Sequence, residues 1–482
     1  MDARNFTARK SVPALVPLGI LIAAVRLGDV VAYVAAGLAS CWLVSALDYP
    51  APFEPQILAL MGAIAAASLC LAHLDGYAPG SVRKLWGRLL RRGLATLAGV
   101  AAASLCLSLV PEERALIPAW PLAWFMISMV LMALGHGLLS VAVRHWAATG
   151  RMSRRVAVVG VNEFSESFLT RAASHPDEGV EVVGVYRDQE DKPELSRHAG
   201  HRVRGTIEDV VLESRRDRID AIVLAMPLTQ PARIAHARRV LASVVGDVYV
   251  TTGLAGLKFQ AGDLQAIAAT PVVNVRRRPL TPWQVLQKNI FDRAAGALLL
   301  VALSAGLLAI AILIKLDSPG PVLFRQPRLG FNNRMFTVYK FRTMHHHAAD
   351  LMADRQTTRD DPRITRVGRF LRKLSLDELP QLLNVLNGSM SLVGPRPHAP
   401  NTKAAGVLFQ DGVAEYAVRH RVKPGITGWA QANGWRGETH THEQIEQRVA
   451  HDLYYIDNWS LKLDIQILFL TVLREINSKT AF

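Results

Sequence analysis

A chain of 482 residues, half of them hydrophobic and with a mean hydropathy of +0.18, has room for two or three domains and is too apolar for an ordinary soluble protein. Its formal net charge of +15 calls for anionic partners; with this apolar content, anionic membrane lipids and phosphorylated substrates fit, and no nucleic acid is expected. The three cysteines, Cys41, Cys70 and Cys106, all fall inside apolar runs, so no disulfide framework is suggested.

Apolar segments at 28–47, 55–72, 93–110 and 120–143 each approach the length of a hydrocarbon core, so residues 1–150 read as four transmembrane helices. The run from Ser11 to Val25, shorter and flanked by Lys10 and Arg26, reads as an interfacial segment and not as a cleaved signal, since no small-residue cleavage site follows it. Arg83, Lys84, Arg88, Arg91 and Arg92 lie between the second and third segments. The stretch from Asp48 to Glu54 has no basic residue and that from Pro111 to Ala119 only Arg114, which places both ends of the bundle in the cytoplasm. No intramembrane charge pair of the kind that marks a transport path is visible, and this disfavours a channel or pump.

From 151 to 275 the pattern changes. Short β-branched runs, Arg155–Gly160, Val180–Val185 and Ile219–Leu224, alternate with helical stretches, as in a Rossmann-like parallel α/β domain. A dinucleotide-binding turn needs glycines where backbone meets pyrophosphate, but after Gly160 the chain reads Val161-Asn162-Glu163-Phe164-Ser165. Asp188 stands where a ribose contact is needed. The broken fingerprint nevertheless favours a structural or regulatory domain without a cofactor.

Arg276-Arg277-Arg278 reads as a basic linker into a third domain, 281–482. Lys288, Asp292 and Arg293 precede the uncharged run Ala294–Ile314, which is long enough to span a membrane. Basic clusters flank that run on both sides, so it is expected to enter and leave by one leaflet, as a re-entrant helix over about 288–315. Gly306 and a Ser304 hydroxyl bonded back to the preceding turn would weaken the helix at the bend.

Between Arg363 and Lys373 a cation recurs every third residue, opposite an apolar face of Ile364, Val367, Phe370, Leu371 and Leu374. Ser375-Leu376-Asp377-Glu378 then puts two adjacent carboxylates at the start of an apolar helix, with Ser375 and Glu378 spaced as a capping box or Asp377 as the cap itself. A capped surface helix would account for such a pattern alone. The segments that follow argue for more: Gly394-Pro395-Arg396-Pro397 and the loop from Lys423 to Gln431 hold cations on stiff turns. Carboxylates able to hold a divalent metal, beside cations on stiff loops, suit a diphosphate. Near the end, the aromatics of 452–461 and the apolar run Ile465–Leu473 suit a helix lying on a membrane surface.

From Thr281 to the C-terminus the motifs Lys288 to Arg293, Phe324-Arg325-Gln326, Lys340-Phe341-Arg342-Thr343-Met344, Asp377-Glu378, Pro395-Arg396-Pro397 and Lys423 to Gln431, in this order, resemble the bacterial sugar transferase family of monotopic phosphoglycosyl transferases. A weaker resemblance to its long-form members covers the N-terminal half. The resemblance implies a multi-domain membrane protein: a four-helix transmembrane bundle, a central Rossmann-like α/β domain, and a C-terminal mixed α/β catalytic domain with a re-entrant membrane helix and interfacial amphipathic helices. It implies an enzyme of the bacterial inner membrane, with the catalytic domain on the cytoplasmic face. The reaction would move a sugar 1-phosphate from a UDP-sugar to undecaprenyl phosphate, releasing UMP through a covalent aspartyl intermediate, at the start of exopolysaccharide synthesis. On this resemblance Asp377 is the nucleophile and Glu378 holds Mg2+. Lys340, Arg342 and Arg396 would contact phosphates, with a structural and substrate-adjacent role for Lys288, Asp292 and Arg293.

The family bends its re-entrant helix at a Ser-Pro pair, whereas this chain has Ser304-Ala305-Gly306. Trp435-Arg436-Gly437-Glu438-Thr439 resembles the Arg-Gly-Glu-Thr segment of the branch that transfers glucose 1-phosphate, which adds Arg436 and Glu438 as donor contacts and favours UDP-glucose over UDP-galactose. Assembly as a homo-oligomer is left open. A membrane-tethered NAD-dependent epimerase or dehydrogenase would need an intact glycine fingerprint and a Tyr-x-x-x-Lys pair, and neither is present. A non-catalytic scaffold is expected to have lost Asp377 or Glu378.

Overall fold

The computed structural model describes residues 17–482, leaving aside 47–52, 75–76, 78–84, 110–118, 177–178, 192–195, 253–264, 347–360, 400–402, 405–406, 409–414, 436–440 and 478–482. Residues 12–153 form one compact unit; most of the remainder forms another.

In the first unit four helices, α1 (Leu18–Ala46), α2 (Phe53–His73), α3 (Leu85–Ser108) and α4 (Trp120–Ala148), are each long and apolar enough to cross a membrane. Alanines Ala36, Ala59, Ala63, Ala67, Ala95 and Ala103 are fully buried between them, while leucines such as Leu58, Leu69, Leu105 and Leu138 face outward. Small residues inside and large apolar ones outside is the packing expected where lipid replaces water. Two expectations need correction. Residues 18–25 are not a separate interfacial segment but the first turns of α1, because Arg26 is a good helix former and the helix runs through it to Ala46. The bundle also does contain a charge pair: Asp29 of α1 accepts from Arg92 of α3 at 2.7 Å and meets His136 of α4 at 2.8 Å, all three buried. By sequence Arg92 groups with the loop cations, and pairing across 63 residues has no local sequence signature.

The central domain is an eight-stranded sheet. In chain order its elements are β1 (Arg154–Val159), α5 (Glu163–Ser174), β2 (Val180–Arg187), β3 (Arg197–His198), β4 (His201–Thr206), α6 (Ile207–Arg216), β5 (Ala221–Leu224), α7 (Pro231–Val240), β6 (Asp247–Thr251), β7 (Gln265–Ile267) and β8 (Thr270–Arg276). The strand order is β3-β4-β2-β1-β5-β6-β8-β7, with β4, β2, β1, β5 and β6 parallel and β8 antiparallel to β6. Strand β5 is buried throughout, as a central strand covered by helices on both faces must be. The arginine triplet is less a linker than a fastening: Arg276 ends β8 and donates to the carbonyls of Ala242 and Val244, and Arg278 pairs with Asp247 at 3.0 Å.

The C-terminal domain opens with α8 (Pro282–Ala302) and α9 (Ser304–Asp317), which meet at Leu303 with a bend of 62°. The Ser304 hydroxyl donates back to the Val301 carbonyl at 2.8 Å, a bond that competes with the helix ladder and supplies a bend without proline. A hairpin of β9 (Leu323–Leu329) and β10 (Met335–Phe341) follows, then α10 (Arg366–Lys373), a 3-10 turn (Leu376–Gln381), α11 (Leu382–Leu386), and β11 (Ser391–Val393). Helices His442–Asp457 and Leu461–Asn477 close the domain over a core that includes Val338, Leu382, Val385, Val393, Tyr455 and Ile467. The last helix buries Ile467 but exposes Ile465, Phe469, Val472 and Leu473, one apolar stripe.

Candidate active site

The residues around Asp377 are brought in by four separate segments. Thr365 caps α10 by accepting from the Gly368 N–H at 3.0 Å, and Gly368 is pressed against the Thr343 carbonyl where no side chain would fit. After α10 the chain reverses at Ser375, whose φ of 56° lies in the left-handed region. The expected capping box is therefore absent: the Ser375 side chain makes no cap bond, and Glu378 turns away from it. Glu378 has stronger partners. Lys340 of β10 donates to its Oε1 at 2.7 Å, and Arg396 grips it bidentately, at 2.9 Å to Oε2 and 2.5 Å to Oε1.

Asp377 stands in the same 3-10 turn, where successive side chains diverge by about 120°, so it leaves the clamp to its neighbour. Burial pushes its carboxyl above the ordinary range, helped by the Glu378 charge and opposed by Lys340 and Arg372. For Glu378 burial acts in the same sense, but the charges of Arg396 and Lys340 outweigh it and hold the group well below the usual range. Further cations crowd in behind. Burial and the nearby Arg396 charge push Arg328 of β9 down to about 10, and burial and Arg419 do the same to Arg448. Arg419 pairs with Asp452 at 2.6 Å and donates to the Arg396 carbonyl at 2.9 Å, so it braces the arginine that braces Glu378. Such a cluster can receive a group carrying several negative charges.

Not every expected site residue joins this cluster. Arg342 is buried against the end of α9, donating to the carbonyls of Ser318 at 2.6 Å and Pro319 at 2.8 Å, so it closes a helix terminus instead of facing the carboxylates. Lys288 is buried in an ion pair with Asp464 at 2.6 Å, and Asp292 accepts from the Leu392 N–H, which ties α8 to the domain core. Arg293 is exposed on α8 near Gly388 and Lys423. Arg436 and Glu438 lie outside the described residues. Arg328, Arg419, Arg448 and Asp452 were missed. Arg328 stands two residues beyond the Phe324-Arg325-Gln326 motif, a local signal, whereas the Arg419–Asp452 pair spans 33 residues and has none.

Glu378 is the residue to test for a metal. Its Oε1 accepts two hydrogen bonds and its Oε2 one, which leaves one acceptor position on Oε2. Mg2+ asks for no more than one or two carboxylates, because it fills its remaining positions with water and substrate phosphates, so the donor set fits.

The chain is similar to known proteins. A family model described as bacterial sugar transferase matches residues 283–478, and one described as a CoA-binding domain matches 73–251. The chain is 32% identical over 459 residues to a UDP-glucose:undecaprenyl-phosphate glucose-1-phosphate transferase of Xanthomonas campestris pv. campestris, covering 95% of this chain and 94% of that one. A protein of the same name from Escherichia coli (strain K12) is 37% identical over 361 residues, 75% of this chain and 76% of its own. An undecaprenyl-phosphate glucose phosphotransferase of Komagataeibacter xylinus is 46% identical over 338 residues, 69% of this chain but 61% of that longer protein. With the carboxylate pair and its cations inside the matched region and a relative aligned along nearly the full length, the chain belongs to the bacterial sugar transferase family.

Proposed function

We propose that the protein transfers glucose 1-phosphate from UDP-glucose to undecaprenyl phosphate, with UMP as the other product. The observation that carries this is a half-buried aspartate, Asp377, beside a glutamate clamped by Lys340 and Arg396. The names of the relatives supply the donor and the acceptor. Asp377 Oδ attacks the phosphorus that bears the sugar, the bond to the bridging oxygen of UMP breaks, and an aspartyl phosphosugar is left. A polyprenyl phosphate oxygen then attacks the same phosphorus and restores the carboxylate. Lys340, Arg396 and Arg328 neutralise the phosphates, and each gains an anion partner when the donor enters. Glu378 would hold Mg2+, which when bound offsets charge on the diphosphate.

The bent pair α8–α9 fits a helix that dips into one leaflet and returns, because exposed cations stand on both sides of the bend, Arg293 before it and Lys315 after it. This keeps Asp377 on the cytoplasmic side of the inner membrane, where UDP-sugars are. Exposed Phe370 of α10, Leu374 just after it and the stripe on Leu461–Asn477 suit the same interface. Membranes containing the protein, undecaprenyl phosphate and Mg2+ are expected to release UMP from UDP-glucose in preference to UDP-galactose. Asp377→Asn should abolish release while the protein stays folded and membrane-bound. Retention of even a few per cent of the wild-type rate by that variant would exclude the covalent route.

A further inference from the structure

The central domain has the topology of a nucleotide-binding fold, and in such folds the ligand lies beyond the carboxyl ends of the strands, where successive connections run to opposite sides. Here that point is between β1, which leads on to β2, and β5, which leads on to β6. Three ties close it. The Asn162 amide donates from Nδ2 to the Ala225 carbonyl at 2.6 Å, stitching the segment after β1 to the segment after β5. Its Oδ1 accepts from the Phe164 and Ser165 N–H groups at 3.0 and 3.2 Å, so the first turn of α5, the usual seat of a phosphate, is already capped. The backbone N–H groups of Val161 and Asp188 both donate to Asp191 Oδ2 at 2.8 Å. Finally, Arg233 at the start of α7 pairs with Asp188 beyond β2 at 2.8 Å, and since β1 lies between β2 and β5 this bridge crosses its carboxyl end.

The one glycine left from the fingerprint agrees. Gly160 has a φ of 114°, and a Cβ there would sit 2.6 Å from the Ala225 carbonyl. Its close approach is to the protein's own backbone and not to a pyrophosphate. A diphosphate brought to this crevice would also meet the carboxylates of Asp188 and Asp191.

We infer that the central domain is a nucleotide fold closed from within, in which the Asp191 carboxylate takes the place of a phosphate, so that neither CoA nor a dinucleotide binds. The residues do not fit the ligand that the matching CoA-binding description names. Thermal unfolding and calorimetric titration of the full chain in detergent test this, and neither readout depends on transferase activity. The wild type should show no heat and no rise in Tm with CoA or NAD+ at millimolar concentration. Asp191→Ala should lower Tm by several degrees and free two N–H groups, so that inorganic phosphate raises the Tm of the variant more than that of the wild type. Asp191→Asn, which keeps one acceptor oxygen, is read in parallel and should fall between the two, and it stands in if the alanine variant does not fold. Micromolar uptake of CoA or NAD+ by the wild type, or no excess phosphate response in either variant, would overturn the assignment.

Discussion

Asp377 and Glu378 share a turn and are driven in opposite directions, and that division sets the pH behaviour. The attacking carboxylate must be ionised, so UMP release should fall on acidification as pH drops through the raised Asp377 value, while Glu378, held low, stays charged throughout. Lys340 is the cation that pulls Asp377 down most. Lys340→Met should therefore move the acid limb to higher pH and cut kcat by about 10²-fold. A pH profile that keeps its midpoint would show that Lys340 does not act on Asp377. Buried histidines give a second test. Burial and the Arg419 charge push His420 down to about 3, and burial with Arg419 and other arginines holds His398 well below the usual range. Both stay neutral when folded, whereas unfolded imidazole protonates near pH 6.5. The unfolded state thus binds more protons below that pH, and stability is lost as pH falls, by about 1.4 kcal/mol per pH unit for each histidine. His420→Gln should remove that histidine's share of the acid slope in thermal unfolding between about pH 6 and 5. The carboxylate pair itself was legible in the sequence, because two acids before an apolar run stand out. The partners of Glu378 decided its role from 38 and 18 residues away, and a local capping pattern cannot register such competitors.

At the level of elements, periodicity located the helices well, since burial on one face is a local pattern. It did not foresee the left-handed Ser375 or the 3-10 turn, which are imposed by packing on either side. The hairpin β9–β10 shows how elements of two domains are joined. Its turn donates from Asn332 Nδ2 to the Ser214 carbonyl at 2.6 Å and from Arg334 Nε to the Arg215 carbonyl at 2.7 Å. These are last-turn carbonyls of α6, without partners inside their own helix, and a cation at that end also meets the favourable side of the helix dipole. The same hairpin carries Lys340 and Arg328. Arg334→Ala is expected to weaken the docking by about 1 kcal/mol, seen as a lower Tm, with a modest change in kcat and none in donor preference. A kcat loss as large as that of Lys340→Met would mean that the central domain aligns the site directly.

Across the whole chain, the order of membrane segment, α/β domain and transferase domain was legible because each has its own period and composition. Every described contact of Asp377 and Glu378 comes from residues after 281. A truncated chain starting at Thr281 should consequently keep UMP release in detergent, with a lower Tm from the lost bonds to α6 and to the Arg277 carbonyl. A well-folded truncate without activity, assayed beside an active full-length preparation, would assign the earlier domains a part in the chemistry.

The Asp29–Arg92–His136 cluster bears on how the protein is made. Asp29 reaches the bilayer 63 residues ahead of Arg92 and 107 ahead of His136. An unpartnered aspartate at the middle of a membrane helix costs about 2.5–3.5 kcal/mol on insertion scales, which the long apolar stretch of α1 can offset but which leaves it a poor resident of lipid alone. The pairing implies an order of assembly: until α3 and α4 have followed, the Asp29 charge on the first helix lacks the Arg92 and His136 partners that conceal it in the completed bundle.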